Sequence, residues 1–405
     1  MTGPLNGLRV LDLTRILAGP TCTQILGDLG ADIIKIEQAK KGDDTRRFAP
    51  PFIKGDEGDD TTESAYFCSS NRNKRSITLN LADAEGQDIA RRLAAKSDIL
   101  VENFKSGGLT KYGLSYDLLK DYVPGLVYCS ITGFGQTGPY AERPGYDLLI
   151  QAMGGFMSIT GEPESGPQKA GIPIADLMAG MYASVAINAA LIHREKTGEG
   201  QHIDIGMLDT MAATLSIMGL NYLSTGKTPQ QLGNAHPNIV PYQAFATSDG
   251  NIVLAAANDE QFQRFCAFAN IEELAIDKRF SSNELRVYNR KELTEKLQSV
   301  IAKKTSQHWL EGLEKIKVTC GPINTIEQVF DDPQIKSRGM KIEMPHLSSG
   351  NEKLKLIASP IRFSRTNVEY RYAPPVLGEH TEEILKELLG MDRETITDLR
   401  QKEVI

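Results

Sequence analysis

Residues 9–37 read RVLDLTRILAGPTCTQILGDLGADIIKIE, and their pattern decides the fold. Arg9–Leu13 is an apolar run of strand length. Ala18-Gly19-Pro20 opens a helix that continues to about Leu29, and Asp32–Glu37 is a second strand. Pro20 suits a first helical turn, where its missing N–H costs little, and Gly30 suits the exit. The same alternation continues outward. Ser76–Leu81 is a third strand, and Asp83 then caps a helix with Ile89, Leu93 and Ala94 at helical spacing. Ile99–Glu102, Leu126–Ile131 and Gln201–Ile205 are further strands, with a helix over Ser115–Tyr122 between the first two. Strands alternating with helices imply an α/β fold, a Rossmann-like parallel sheet covered on both faces.

Other stretches fall between and after these elements. A polar segment, Lys40–Asn73, contains Gly42-Asp43-Asp44-Thr45-Arg46-Arg47. The glycine-rich run Thr132–Pro139 follows the fifth strand, a helix lies around Asp147–Met153, and Ala170–Gly180 (AGIPIADLMAG) leads into an apolar helix over Leu177–Ile192. From Ser224 the texture changes to loop, then to a β-hairpin of Tyr242–Thr247 and Ile252–Ala257 around a D-G turn. Helices follow at Asp259–Ala269, Asn289–Ala302 and Ser306–Ile316, then strand-and-turn material over Arg338–Pro375 and a closing helix at His380–Leu389. The expected division is a large domain in residues 1–224, a smaller α+β domain in 225–330, and a return to the large domain in 331–405.

With 405 residues, two domains are expected. A net charge of -7 argues against nucleic-acid binding, which needs a basic surface. The five cysteines are scattered and form no C-x-x-C pair, which suits reduced thiols in the cytoplasm. No secretory leader is visible, and the 177–192 run is too short to span a bilayer, so no membrane partner is expected. Neither a P-loop, a zinc-protease H-E-x-x-H nor a G-x-S-x-G elbow occurs, and the first turn lacks the G-x-G-x-x-G of dinucleotide sites.

Two features carry chemistry. Asp176, at the start of the apolar helix, could cap it; equally, a carboxylate in a largely apolar setting is poorly solvated and available as a nucleophile. Asn71-Arg72-Asn73-Lys74-Arg75 is a basic cluster before the third strand and a candidate for phosphate contacts, with Lys111 and Arg143 weaker candidates of the same kind.

The chain resembles the class III CoA-transferases over almost its whole length. The matching segments include Pro4–Asp12, Ala18-Gly19-Pro20, Val101-Glu102-Asn103-Phe104, Gly133–Pro139, Gly145-Tyr146-Asp147, Asp176, Lys196–Gln201, Cys320-Gly321-Pro322 and Leu377–Thr381. Gly42–Arg46, Tyr128–Gly133, Asn238–Phe245, Leu285–Val287 with Asn289–Leu293, and Gly321–Asn324 are similar to the dicarboxylate-using branch, the succinyl-CoA:glutarate CoA-transferases. The resemblance implies that Asp176 is the nucleophile and that CoA esters are substrates, with no metal and no permanently bound cofactor. It places CoA contacts at Ile16, Ala18, Arg72, Asn73, Lys74, Arg75, Asn103, Phe104, Lys111, Gly135 and Tyr146. It also implies an interlocked homodimer.

For the far carboxylate of a dicarboxylic substrate, Arg46, Arg47 or His236 are candidates, because a guanidinium binds a carboxylate through two hydrogen bonds. Solvent-exposed loop arginines are the alternative. Two rival functions stand beside transfer. One is an α-methylacyl-CoA racemase of the same fold, opposed by Tyr146 where racemases carry a histidine. The other is a CoA-binding protein in which Asp176 only caps a helix.

Overall fold

The computed structural model describes residues 2–350 and 353–405. The chain forms two compact units. The first comprises the chain up to Gly155, Ala170–Thr214 and Lys336–Ile405; the second comprises Phe156–Lys169 and Leu215–Ile335. These limits differ from the expected division near residue 224. Ser216 has a positive φ of 47° that breaks the apolar helix there, and Ser216–Thr225 groups with the second unit.

In the first unit, six parallel strands run through β1 (Arg9–Asp12), β2 (Asp32–Glu37), β3 (Lys74–Thr78), β4 (Ile99–Glu102), β5 (Val127–Thr132) and β6 (His202–Gly206). Their order in the sheet is β3-β2-β1-β4-β5-β6. The direction of winding reverses between β1 and β4, and ligands on open parallel sheets bind at the carboxyl ends of strands beside such a reversal. Val10, Leu11, Ile33, Ile34, Leu100, Val101 and Val127 are almost wholly buried, as expected for strands covered on both faces.

One core contains Leu11, Ile34, Ile77 and Leu100 with Ile89 and Leu93 of the helix Ala84–Ala94, and with Ile384, Leu385, Ile396 and Leu399 near the C-terminus. The last two belong to a helix, Arg393–Gln401, that the sequence reading did not anticipate. Asp392 caps it by accepting from the Thr395 N–H at 2.8 Å.

Apart from that core, α1 (Ala18–Asp28) packs against α2 (Ile174–Thr197). They approach closely at Gly180, where a Cβ would lie 2.6 Å from the Ala18 carbonyl oxygen, so only glycine fits. Helix α2 is longer than the expected 177–192. By length and composition it could cross a membrane, yet half of its most apolar window is buried inside the protein.

Two further differences bear on the site. The third strand begins at Lys74 rather than Ser76, so Lys74 and Arg75 lie within the sheet instead of a loop. The polar 40–73 segment contains an antiparallel hairpin, Phe52–Lys54 with Asp60–Ser64.

The second unit is α+β. The expected hairpin is present as Tyr242–Ala246 and Asn251–Ala255, and Thr319–Pro322 joins it antiparallel. Its core holds Phe245, Phe262, Phe265, Leu293, Leu297 and Trp309.

Candidate active site

A cavity of about 460 Å³ opens at the carboxyl ends of β1, β4 and β5, where the winding reverses. One wall is the β1–α1 turn with Arg15, Ile16 and Ala18. A second is the segment after β4, from Asn103 and Phe104 to Lys111 and Tyr112. A third is the segment after β5, with Gly133, Arg143, Gly145, Tyr146 and Asp147. Asp176 lines the same cavity. A smaller cavity of about 320 Å³ shares Arg15, Phe104 and Tyr112 with the first.

Asp176 is the third residue of α2 and is only 8% exposed. It does not cap the helix. Pro173 stands at the N-cap without a side-chain hydrogen bond, and the cap comes from another element: Asp147 Oδ1 accepts from the Ala175 N–H at 2.9 Å and from the Asp176 N–H at 3.4 Å. Asp147 also accepts from Gln151 Nε2 at 2.6 Å, and Gln151 in turn accepts from the Ala170 N–H at 2.9 Å. The short helix Asp147–Met153 thereby holds both ends of the segment carrying Asp176.

Among the described residues, the Asp176 carboxylate makes no hydrogen bond or ion pair. Burial, and then the neighbouring Asp147 charge, raise its pKa from 3.8 to about 7. A carboxylate stripped of partners beside a cavity is a strong nucleophile once ionised.

The cavity wall after β5 depends on two glycines. A Cβ on Gly133 would sit 2.5 Å from the Gly145 Cα, so the two backbones cross where no side chain fits. This crossing sets Tyr146 and Asp147 at the cavity. Arg143 lies over the rings of Tyr140 and Phe134, at 4.6 and 5.4 Å from their centroids. With Arg15, Lys105 and Lys111 it gives the cavity four cationic side chains beside three acids, Asp44, Asp147 and Asp176. Arg15 pairs with Asp44 at 3.2 Å, which leaves Lys105, Lys111 and Arg143 to face an anionic ligand.

The expected site residues divide sharply. Ile16, Ala18, Asn103, Phe104, Lys111, Tyr146 and Asp176 line one cavity. Gly135 does not line it, but lies in the adjoining loop with φ 83° and its N–H bonded to Thr132 Oγ1.

The basic cluster is committed elsewhere. Arg72 bonds Asp28 and the Ile357 carbonyl, and Asn73 bonds Asp28 and the Glu369 carbonyl. Lys74 is buried against Asp12 at 3.1 Å. Arg75 pairs with Asp32, Glu383 and Glu387. These side chains hold the sheet and the C-terminal segment together, and none lines either cavity near β1.

Arg46 is likewise engaged. It is 6% exposed, pairs with Glu37 at 2.7 Å and Glu63 at 2.8 Å, and lies 3.7 Å over the Phe67 ring. That leaves no guanidinium edge for a substrate, so Arg46 is corrected from a substrate clamp to a structural brace. Arg47 pairs with Asp44 at 3.0 Å and does not line the cavity. His236 belongs to the second unit, where its Nδ1 accepts from the Asn238 N–H at 3.0 Å.

Sequence reasoning gave no role to Asp147, Arg15, Lys105 or Met207, which all line the cavity. Asp147 heads a helix four residues before Gln151, a spacing at which the two side chains meet. Its action on a different helix is visible only in three dimensions.

Residues 5–381 match the model of CoA-transferase family III. The succinate–glutarate CoA-transferase of Agrobacterium fabrum is 45% identical over 96% of this chain and 97% of its own length. Human succinyl-CoA:glutarate CoA-transferase is 43% identical over 99% of this chain and 90% of its own. Among solved structures, a CaiB/BaiF family protein from Brucella suis superposes with a TM-score of 0.84 at 49% identity, covering 96% of this chain and all of that one. With a matched segment that takes in the β1–α1 turn, the cavity walls and Asp176, the chain belongs to CoA-transferase family III.

Proposed function

We propose that this enzyme moves CoA from succinyl-CoA to a second dicarboxylate, with glutarate the first to test, and that Asp176 is its nucleophile. The observation that carries the reading is the buried, unpartnered Asp176 carboxylate on a cavity with four cationic side chains. The substrates named for the Agrobacterium and human relatives support the choice of acids.

In the proposed sequence, an Asp176 oxygen attacks the thioester carbonyl of succinyl-CoA. The C–S bond breaks, giving a mixed aspartyl–succinyl anhydride and CoA thiolate. The thiolate attacks Cγ of Asp176, expels succinate and leaves an aspartyl-CoA thioester. Glutarate then attacks that Cγ and regenerates an anhydride with free thiolate. Attack of the thiolate on the glutaryl carbonyl yields glutaryl-CoA and restores Asp176. Acyl groups pass between oxygen and sulfur without any change of oxidation state, so the steps call for no permanently bound cofactor. CoA is long, and the two adjoining cavities give it an extended run whose binding energy can position the reacting thioester.

The remaining expectations fit this reading. On α2 the large side chains Met181, Tyr182, Val185 and Ile192 are exposed, which supports burial against a second copy in a homodimer. The free cysteines suit a reducing compartment such as the cytoplasm.

The test is a panel of acids offered to the purified enzyme with succinyl-CoA, the CoA esters being followed by mass spectrometry beside Asp176→Ala. Glutaryl-CoA formed by the wild type and lost in the variant supports the reading. Transfer that survives in the variant refutes the role of Asp176, and absence of transfer to any dicarboxylate refutes the choice of acceptor.

A further inference from the structure

The far carboxylate of a dicarboxylic substrate needs a partner, and the loop arginines do not supply one: Arg46 is engaged by Glu37 and Glu63, and Arg47 stands off the cavity. The four cations that do line the cavity are not equivalent. Arg15 is tied to Asp44 at 3.2 Å. Lys105 and Lys111 belong to the segment after β4, the wall that also supplies Phe104 and Tyr112 to the second cavity. Arg143 stands on the wall after β5 and does not line the second cavity.

The Arg143 guanidinium is seated and still open. Phe134 and Tyr140 meet edge to face with centroids 5.6 Å apart, and the guanidinium lies over both rings. A turn closed by the Arg143 N–H on the Tyr140 carbonyl, at 2.9 Å, keeps the residue beside these rings. Stacking engages the face of the planar group and leaves its N–H edges clear. Those edges are what bind a carboxylate through two parallel hydrogen bonds. Among the described residues no acid pairs with Arg143, and its guanidinium donates no hydrogen bond.

The chain also ties Arg143 to the nucleophile. Two residues after it Gly145 crosses Gly133, and two further on Asp147 accepts from the Asp176 N–H at 3.4 Å. Four residues span at most about 14 Å, so Arg143 cannot stray far from the turn that carries Asp176.

Resting on the dicarboxylate reading of the substrate, we propose that Arg143 grips the far carboxylate of the succinyl and glutaryl groups while their reacting ends meet Asp176, and so favours diacids over monoacids. The two walls then divide the ligand. The CoA arm, long enough to use both cavities, runs along the wall with Lys105 and Lys111, and Arg143 serves the acyl end. The clamp acts in both half-reactions, because succinyl-CoA and the attacking glutarate each carry one carboxylate that takes no part in the chemistry.

The decisive variant is Arg143→Met, which keeps an apolar stem over the two rings and removes the guanidinium. KM for glutarate is measured with succinyl-CoA as donor, and CoA binding is measured by calorimetry. The glutarate KM is expected to rise about thirtyfold, the weight of a charge-assisted pair. The affinity for CoA, which carries no acyl carboxylate, stays unchanged and shows that the variant is folded. Arg143→Lys keeps the charge without the fork, and its glutarate KM falls between the two. A glutarate KM unchanged in Arg143→Met overturns the proposal. So does a CoA affinity that falls by the same factor, which would make Arg143 a phosphate contact. Wild-type enzyme that passes CoA to monoacids and to no diacid refutes the dicarboxylate reading and the clamp with it, whereas wild-type transfer to glutarate leaves that reading standing whatever the variant does.

Discussion

Asp147 and Asp176 form an asymmetric pair: Asp147 Oδ1 takes the backbone N–H groups that open α2, and the Asp176 side chain on that same turn is left without a partner. The usual occupant of a first-turn carboxylate's attention, the exposed N–H groups of the helix, has already been satisfied. The arrangement separates two duties that one aspartate often combines. Asp147 stabilises the helix, and the Asp176 lone pairs stay free for the proposed attack.

The pH dependence of the first half-reaction follows from that separation. In the proposed mechanism Asp176 must be ionised to attack, and burial and then the Asp147 charge raise its pKa to about 7. With succinyl-CoA, kcat/KM is expected to rise about tenfold per pH unit below 7 and to level off above it. Asp147→Asn keeps a hydrogen-bond acceptor and removes the like charge, so the midpoint of this profile moves to lower pH. A midpoint that stays in place would show that Asp147 has no electrostatic hold on Asp176.

Stability carries the same signature with a definite sign. The folded state raises the Asp176 pKa above its ordinary 3.8, so between pH 4 and 7 the folded chain holds a proton that the unfolded chain has lost. Stability therefore falls as pH rises through this window, and the cost is complete above pH 7. Asp176→Asn removes that cost. The variant is expected to be more stable than wild type at pH 8, by about 2–4 kcal/mol at most, and close to it at pH 4. Urea denaturation at the two pH values checks this, and equal midpoint shifts at both would contradict it.

Arg46 is predicted to matter for folding and not for acceptor choice. Removing one member of a buried ion pair strands the others, so Arg46→Ala leaves Glu37 and Glu63 uncompensated and costs about 3–5 kcal/mol. The KM for glutarate of whatever folded enzyme remains should match the wild type. Denaturation midpoints and steady-state kinetics on the same preparation separate the two effects.

The sheet was legible because its strands are short apolar runs between helices with ordinary punctuation. Arg9–Asp12, Asp32–Glu37 and Ile99–Glu102 stand almost where their residues place them. The basic cluster misled because charge in sequence says nothing about pairing. Lys74 reads as a loop cation, yet it lies in the edge strand β3 with its ammonium 3.1 Å from the Asp12 carboxylate, and Arg75 finds three acids, two of them more than three hundred positions away. Ile16 was legible only through resemblance, since nothing in the residues around it announces a left-handed isoleucine, with φ 70°. Its constraint comes from Asp43, which accepts its N–H, and from Asn103, which accepts the N–H of Arg15 beside it; both reach the turn through folding alone.

The most direct test of the central claim is to mix the enzyme with succinyl-CoA alone, quench it, and locate the modified peptide by mass spectrometry after hydroxylamine treatment. CoA is predicted to be held as a thioester on Asp176, to be converted there to a hydroxamate, and to leave as glutaryl-CoA when glutarate is added before the quench. A CoA adduct on another residue, or full transfer by Asp176→Ala, would contradict the account.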